Sequence, residues 1–173
     1  MPTLYVVATP IGNLSDMSPR AIETLRSVQL IAAEDTRVTM KLLNAFDIST
    51  PLTSCHEHNE RSKAVQIAER MLAENIDVAV TTDAGTPCIS DPGSVLVREA
   101  TERGIPAVAV SGPTAMASAL SVSGMDISEF TFYGFLPRQK NELREKLTDM
   151  ARHSKIAVVH ESPHRVIELL QQV

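Results

Sequence analysis

The chain has 173 residues, 43% of them apolar, a formal net charge of −5 and two cysteines, Cys55 and Cys88. This is enough apolar material for one sizeable core, while no stretch approaches the ~20 apolar residues of a membrane-spanning helix and two cysteines make no disulfide framework. The acidic total argues against a generic nucleic-acid coat, and the N-terminus lacks the basic and then apolar pattern of a secretory signal, so a cytoplasmic protein with reduced thiols and no membrane partner is expected.

Residues 3–8 predict a first strand. Ser18 and Pro19 supply an N-cap and a first-turn proline for a helix reaching about residue 28. A short second strand is predicted over 30–33, followed by a helix over about 37–45. Beyond the 51–54 segment, Asn59 is placed to cap a long amphipathic helix with Ala64, Ile67, Ala68, Met71 and Leu72 on one face. Residues 78–81 read as a strand and 94–103 as a helix stopped by Gly104. Residues 105–110 give another strand and 113–123 another helix. Strands separated by helices predict βαβ units and a mostly parallel sheet flanked by helices, an α/β fold, over residues 1–124.

Glycine and acidic residues interrupt this pattern over 124–129. A second α/β domain is expected to begin at 125, with a strand over 130–135, a helix over 138–152, a strand over 156–159 and a final helix opening at Pro163, amphipathic at Val166, Ile167, Leu169 and Leu170. So few elements fall short of a second sheet domain, and residues 125–173 are expected to be its incomplete beginning. The charge is uneven as well: residues 138–165 carry seven Lys/Arg against four Asp/Glu, within an otherwise acidic chain. That segment suits contact with RNA, although a solvated helix face with Glu142 and Lys146 paired at i,i+4 is the simpler explanation.

Ligands of parallel sheets bind at the carboxyl ends of the strands, where loops begin at Thr9, Glu34, Thr82 and Ser111. The stretch from Asp83 to Gly93 is the most constrained of them: glycines at 85 and 93 allow close approach of backbone, and prolines at 87 and 92 fix φ and remove donors. Thr9-Pro10-Ile11-Gly12-Asn13 has one glycine where a dinucleotide-binding loop has G-x-G-x-x-G, so a pyrophosphate ligand is disfavoured. His160-Glu161-Ser162-Pro163-His164 matches the H-E-x-x-H zinc motif in letters. That chemistry needs both histidines on one continuous helix, and Pro163 with a preceding strand forbids it. The adjacent residues Cys55-His56-Glu57-His58 are better read as a polar turn than as a metal site, so no metal is expected.

Five segments, taken in order, resemble the bacterial ribosomal RNA small-subunit methyltransferase I family, a branch of the tetrapyrrole methylase superfamily. They are Thr9-Pro10-Ile11-Gly12-Asn13-Leu14, Ala33-Glu34-Asp35-Thr36-Arg37, the 83–93 loop, Ser111-Gly112-Pro113-Thr114-Ala115 and Glu161-Ser162-Pro163-His164-Arg165, and together they cover essentially the whole chain. The resemblance implies S-adenosylmethionine as cofactor, in keeping with loops rich in proline, glycine and small residues and poor in Lys or Arg. It places cofactor contacts at Pro10, Thr81, Thr82, Asp83, Thr86, Thr114 and Ala115. It also implies a chain continuing past residue 173, and a homodimer. The first loop departs from the glycine-rich G-x-G-x-G-D of many tetrapyrrole-modifying relatives, which weakens a porphyrin substrate and favours the RNA branch.

The activity so implied is 2′-O-methylation of a cytidine in the decoding region of 16S ribosomal RNA, probed best in the small ribosomal subunit. Such a displacement needs oxygen, methyl and sulfur in line, water excluded, and a late proton acceptor. Glu34, Asp35 and Glu161 are the candidate acceptors, and Arg37 and Arg165 suit bidentate contact with RNA phosphate. Glu34-Asp35-Thr36-Arg37 equally fits a capped helix start with an ordinary ion pair, and Thr114 and Ala115 equally fit the start of a helix. A non-catalytic cofactor-binding fragment, a tetrapyrrole methylase and, more remotely, a zinc hydrolase stay open beside the leading reading.

Overall fold

A computed structural model describes residues 1–173, which form two compact units, 1–115 and 116–173. In the first unit, strands β1 (Leu4–Val7), β2 (Leu30–Ala33), β3 (Leu52–Ser54), β4 (Val78–Thr81) and β5 (Ala107–Val110) make one sheet in the order β3-β2-β4-β1-β5. Every pairing in it is parallel. Parallel strands need crossover connections, and the helices that supply them cover both faces.

Strand alternation decides which face each residue serves. Leu4, Leu30, Ala32, Val78 and Val80 share a core with Ala64, Ile67, Ala68 and Met71 of helix α3 (Glu60–Glu74) and with Leu96 and Ala100 of α4 (Ser94–Glu102). Val7, Ile31, Ala79 and Val110 pack on the other face with Ala21 and Leu25 of α1 (Pro19–Ser27) and Leu43 of α2 (Thr36–Ala45). Leu4, Ile31 and Val78 are fully buried, each contributing about 1.5–3 kcal/mol of transfer free energy.

The caps follow the local sequence. Ser18 Oγ accepts the Ala21 N–H at 3.1 Å, with Pro19 opening α1. Asp35 Oδ1 does the same for α2, accepting the Arg37 N–H at 2.8 Å. At α4 the N-cap is Gly93, which has no side chain to offer. The carboxylate of Glu60 substitutes, accepting the Gly93 N–H at 2.6 Å and the Val95 N–H at 3.0 Å. Gly93 has φ +119°, and a Cβ there would lie 3.0 Å from Cys88 Sγ and 3.3 Å from Val80 Cγ2, so no other residue fits without displacement.

Helix α5 (Ala115–Ser121) buries none of its residues and begins where the two units divide. The second unit contains the parallel pair β6 (Thr131–Phe135) and β7 (Ala157–His160) with α6 (Lys140–His153) and α7 (Val166–Leu170). Its small core is Leu136, Leu143, Met150 and Leu169.

Two helix bounds are corrected, and one segment without a predicted element gains one. The 51–54 segment contains an edge strand, β3, whose three residues are too few to show a period. The last helix starts at Val166 rather than Pro163, because the Arg165 and Val166 N–H groups both close on Ser162 O, at 2.9 and 3.0 Å, and make a turn first. Helix α5 is shorter than the predicted 113–123.

Candidate cofactor and substrate site

The strand order fixes where the functional loops meet. From β1 the chain moves outward through β2 to β3, with α1 and α2 on one face, and it then returns through α3 to β4 and through α4 to β5, with those helices on the other face. Neighbouring strands β1 and β4 therefore send their following loops to opposite faces, which leaves a crevice at their carboxyl ends. The register aligns Ala33 with Thr81 and Val7 with Val110, so the loops after β1, β2, β4 and β5 leave from one rim.

These loops are bonded to one another. Thr9 N–H donates to Gly85 O at 2.8 Å and Gly85 N–H returns to Thr9 O at 3.1 Å. Thr9 Oγ1 donates to Thr82 O at 3.1 Å, and Thr86 Oγ1 donates to Pro113 O at 3.1 Å. Gly85, at φ +90°, leaves room for Ile11, whose Cγ2 would stand 3.4 Å from an added Cβ. Cys88 and Ser90 also hold positive φ, 70° and 64°, a conformation unfavourable for side-chain-bearing residues. It persists where surrounding structure imposes it, and the loop carrying both residues is pinned at its end by Glu60 on the Gly93 N–H.

Three carboxylates gather at the rim. Glu34 Oε2 accepts from Thr82 Oγ1 at 2.5 Å and from the Asp83 N–H at 3.2 Å. Asp83 Oδ1 in turn accepts the Asp35 N–H at 3.2 Å. Asp35 also binds its own neighbour Arg37 twice, at 3.0 Å from Nε and 2.6 Å from Nη2. These bonds hold the Asp35 carboxyl down at about 2 and raise the Arg37 guanidinium further. Asp83 moves the other way: partial desolvation and then the nearby Glu34 charge raise its proton affinity. Beside it lies a cavity of about 320 Å³ lined by Pro10, Asn13, Leu14, Val38, Leu42 and Asp83, among others.

Of the residues singled out from sequence, Pro10, Thr82 and Asp83 line this cavity. Glu34 and Asp35 stand in the loop after β2 and Arg37 in the first turn of α2, the helix whose Val38, Lys41 and Leu42 line the cavity, and Thr86 is tied to the β5 loop. Thr81 is 2% exposed, with a hydroxyl that is buried and unpartnered. Ala115 opens α5, directly after Thr114. In the second unit, Glu161 Oε1 accepts the Ser162 N–H at 2.7 Å while Oε2 lies 3.5 Å from Arg165 Nη2. His160 closes β7 between the edges of Phe132 and Phe135, at 4.9 and 5.7 Å between ring centroids, and His164 sits in the turn before α7. The two imidazoles of the H-E-x-x-H letters thus share no helix.

Sequence reading missed the Glu60 clamp and the apolar wall Val38–Leu42. The wall left a trace, since its residues stand at i,i+4 on α2; the clamp left none. Cys55 and Cys88 are both pushed up to about 11, by burial first and then by the Glu60 charge, which keeps them as inert thiols near neutrality.

The chain matches the sequence profile of the Tetrapyrrole (Corrin/Porphyrin) Methylases over residues 3–173. It is 45% identical over 172 residues to a ribosomal RNA small subunit methyltransferase I of Vibrio cholerae, covering 99% of this chain and 59% of that protein. The protein of the same name from Thermotoga maritima is 46% identical over 173 residues, covering 100% of this chain and 77% of its own length. A crystal structure of diphthine synthase, at 13% identity, superposes with a TM-score of 0.69 over 99% of this chain and 72% of that one, so it shares the fold. The chain thus spans about three fifths of the Vibrio relative. By profile, by identity and by fold, it belongs to the tetrapyrrole methylase family, in its ribosomal RNA small subunit methyltransferase I branch.

Proposed function

We propose that this chain carries the cofactor site and part of the substrate surface of an S-adenosylmethionine-dependent enzyme that methylates the 2′-hydroxyl of a cytidine in the decoding region of 16S ribosomal RNA. The observation that carries the reading is the crevice between the β1 and β4 loops, neutral where the backbone approaches and acidic at one edge, in a chain 45% identical to a named small-subunit methyltransferase. The crevice fits the cofactor chemically. Pro10, Thr82, Thr86, Thr114 and Ala115 offer small side chains, and Lys41 is the one cation among the residues lining the cavity beside them, short of the cationic cradle a polyphosphate needs. S-adenosylmethionine supplies a sulfonium-bound methyl group when bound.

Within this reading the residues take separate parts. The target hydroxyl enters the cavity of about 320 Å³ beside the apolar wall of α2, and Asp83 accepts its proton as the new oxygen–methyl bond forms and the methyl–sulfur bond breaks. Asp83 suits this better than the other carboxylates of the rim. Its proton affinity is raised, whereas Glu34 already accepts two hydrogen bonds and Asp35 is locked to Arg37. Glu34 then orients the Thr82–Asp83 peptide, and Arg37, 87% exposed at its side chain, contacts an RNA phosphate. Small ribosomal subunits in the cytoplasm are the proposed substrate, and a homodimer the proposed assembly.

Methyl transfer from labelled cofactor to undermethylated small subunits, followed by mapping of the modified nucleotide, tests the reading directly. Label on a cytidine ribose supports it. Cofactor binding without any transfer supports the second reading, a cofactor-binding portion of a longer enzyme, which the 59% coverage of the Vibrio protein favours. Label on a porphyrin in place of RNA contradicts both.

A further inference from the structure

The second unit contains a cavity that the roles above leave unused. It measures about 310 Å³, and its polar lining is Arg138, Lys140, Arg165, Glu168, Gln171 and Gln172. Three cations face one carboxylate across a small space, with two amides between them. Arg138 and Lys140 lie at the start of α6, both exposed, and neither takes part in an ion pair or a side-chain hydrogen bond.

Arg165 is held differently. Its nearest carboxylate oxygen, Glu161 Oε2, stands 3.5 Å away, beyond hydrogen-bond range for that donor. Arg165 keeps this ion pair with Glu161, while its five-donor fork makes no side-chain hydrogen bond. The Glu161 side chain is only 5% exposed and is fixed by the Ser162 N–H, while that of Arg165 is 32% exposed. A buried, immobile carboxylate behind a half-open guanidinium aims the cation without neutralising it at contact distance. Like charges gathered without partners repel one another, and an anion entering between them relieves that repulsion. Guanidinium forks and an ammonium are charge-assisted donors suited to the two non-bridging oxygens of a phosphodiester.

We propose that this pocket seats a backbone phosphodiester of the RNA substrate, gripped by Arg138, Lys140 and Arg165, with Glu161 as a positioning residue for Arg165. The proposal rests on the RNA-methylating reading above and extends it to a contact that fixes register without reading sequence.

The test is equilibrium binding of a small-subunit ribosomal RNA fragment to the chain over a range of salt concentrations, with inorganic phosphate as competitor in a separate arm. Arg138→Ala and Lys140→Ala should each weaken binding several-fold and lower the slope of log affinity against log salt by about 0.7–0.9. Arg152→Ala, on α6 outside the pocket, should leave affinity within twofold. Glu168→Gln should tighten binding. Glu161→Gln removes a negative charge, so bulk electrostatics alone would tighten binding too; loss of positioning should instead weaken it at an unchanged thermal midpoint. Inorganic phosphate should compete only at concentrations far above those of RNA, and competition at equal concentration would reassign the pocket to a free phosphate compound. Wild-type binding with pocket variants no different from Arg152→Ala overturns the pocket while leaving the methylation reading intact. Absence of any RNA binding by the wild-type chain overturns the pocket, and the methylation reading then stands or falls with the transfer assay on small subunits.

Discussion

The rim of the first unit and the pocket of the second solve opposite electrostatic problems. At the rim, Glu34, Asp35 and Asp83 crowd together, and every close approach is satisfied by a backbone N–H, a threonine hydroxyl or Arg37. In the pocket, Arg138 and Lys140 stand without partners and Arg165 is only loosely held. A satisfied network is rigid and suits a small ligand that must be aligned for displacement. An unsatisfied cluster of one sign is a demand for a counter-charge from outside. Under the proposed function, the first unit aligns the ligands and the second anchors the RNA.

The sharpest way to break that contrast is at Asp83. Asp83→Asn keeps an oxygen for the Asp35 N–H but removes the proton acceptor, and should lower methyl transfer at least about 100-fold, measured as single-turnover rate on small subunits. Its stability should move the other way. Because the folded state raises the proton affinity of Asp83, ionising it costs stability as pH rises from the ordinary carboxylate value through the raised one. That cost is absent at low pH and persists at neutrality. The variant should therefore unfold no more easily than the parent at pH 7. For the same reason the wild-type rate should fall as pH drops through the raised value, and a rate that stays flat down to pH 4 would remove Asp83 from the chemistry.

Next in size is the clamp that shapes the 83–93 loop. Glu60→Ala leaves the Gly93 and Val95 N–H groups without their acceptor and should cost roughly 2–4 kcal/mol in denaturant unfolding. Gly93→Ala should cost about 1–3 kcal/mol through its positive φ and the contact with Cys88. If either variant unfolds like the parent, the loop is not held as described.

How much of this was legible beforehand follows from the range of each interaction. Strands β1, β2 and β4 announce themselves as short apolar runs, and Ser18-Pro19 announces α1, because those signals are local. The gathering of loops at one rim was also legible, since parallel pairing forces it. The Glu34–Asp83 contact was not: it joins residues 49 apart whose side chains meet only once β2 and β4 are in register. Glu60 looked like an ordinary first-turn acid of α3, and its reach across to α4 depends on how two helices pack on one face. Asp35 fits both a proton acceptor and a helix cap by sequence alone, and its side chain caps α2. Arg138 and Lys140 were legible as charge, but their convergence with Arg165 required the fold of the second unit.

The smallest effect is expected at Thr81. Its hydroxyl is buried with no partner, so Thr81→Val should be neutral or stabilise the chain by up to about 1 kcal/mol, read as a shift in thermal midpoint. A clear loss of stability would mean that the hydroxyl has a partner after all, such as a bound water.

If the crevice between the β1 and β4 loops holds S-adenosylmethionine, as proposed, calorimetric titration of the chain with that cofactor reveals it. Saturable binding at one site per chain is expected, weakened by Gly85→Val, which would crowd Ile11 and Pro113 at the crevice. No heat of binding at millimolar cofactor, or equal affinity in a folded Gly85→Val variant, would contradict it.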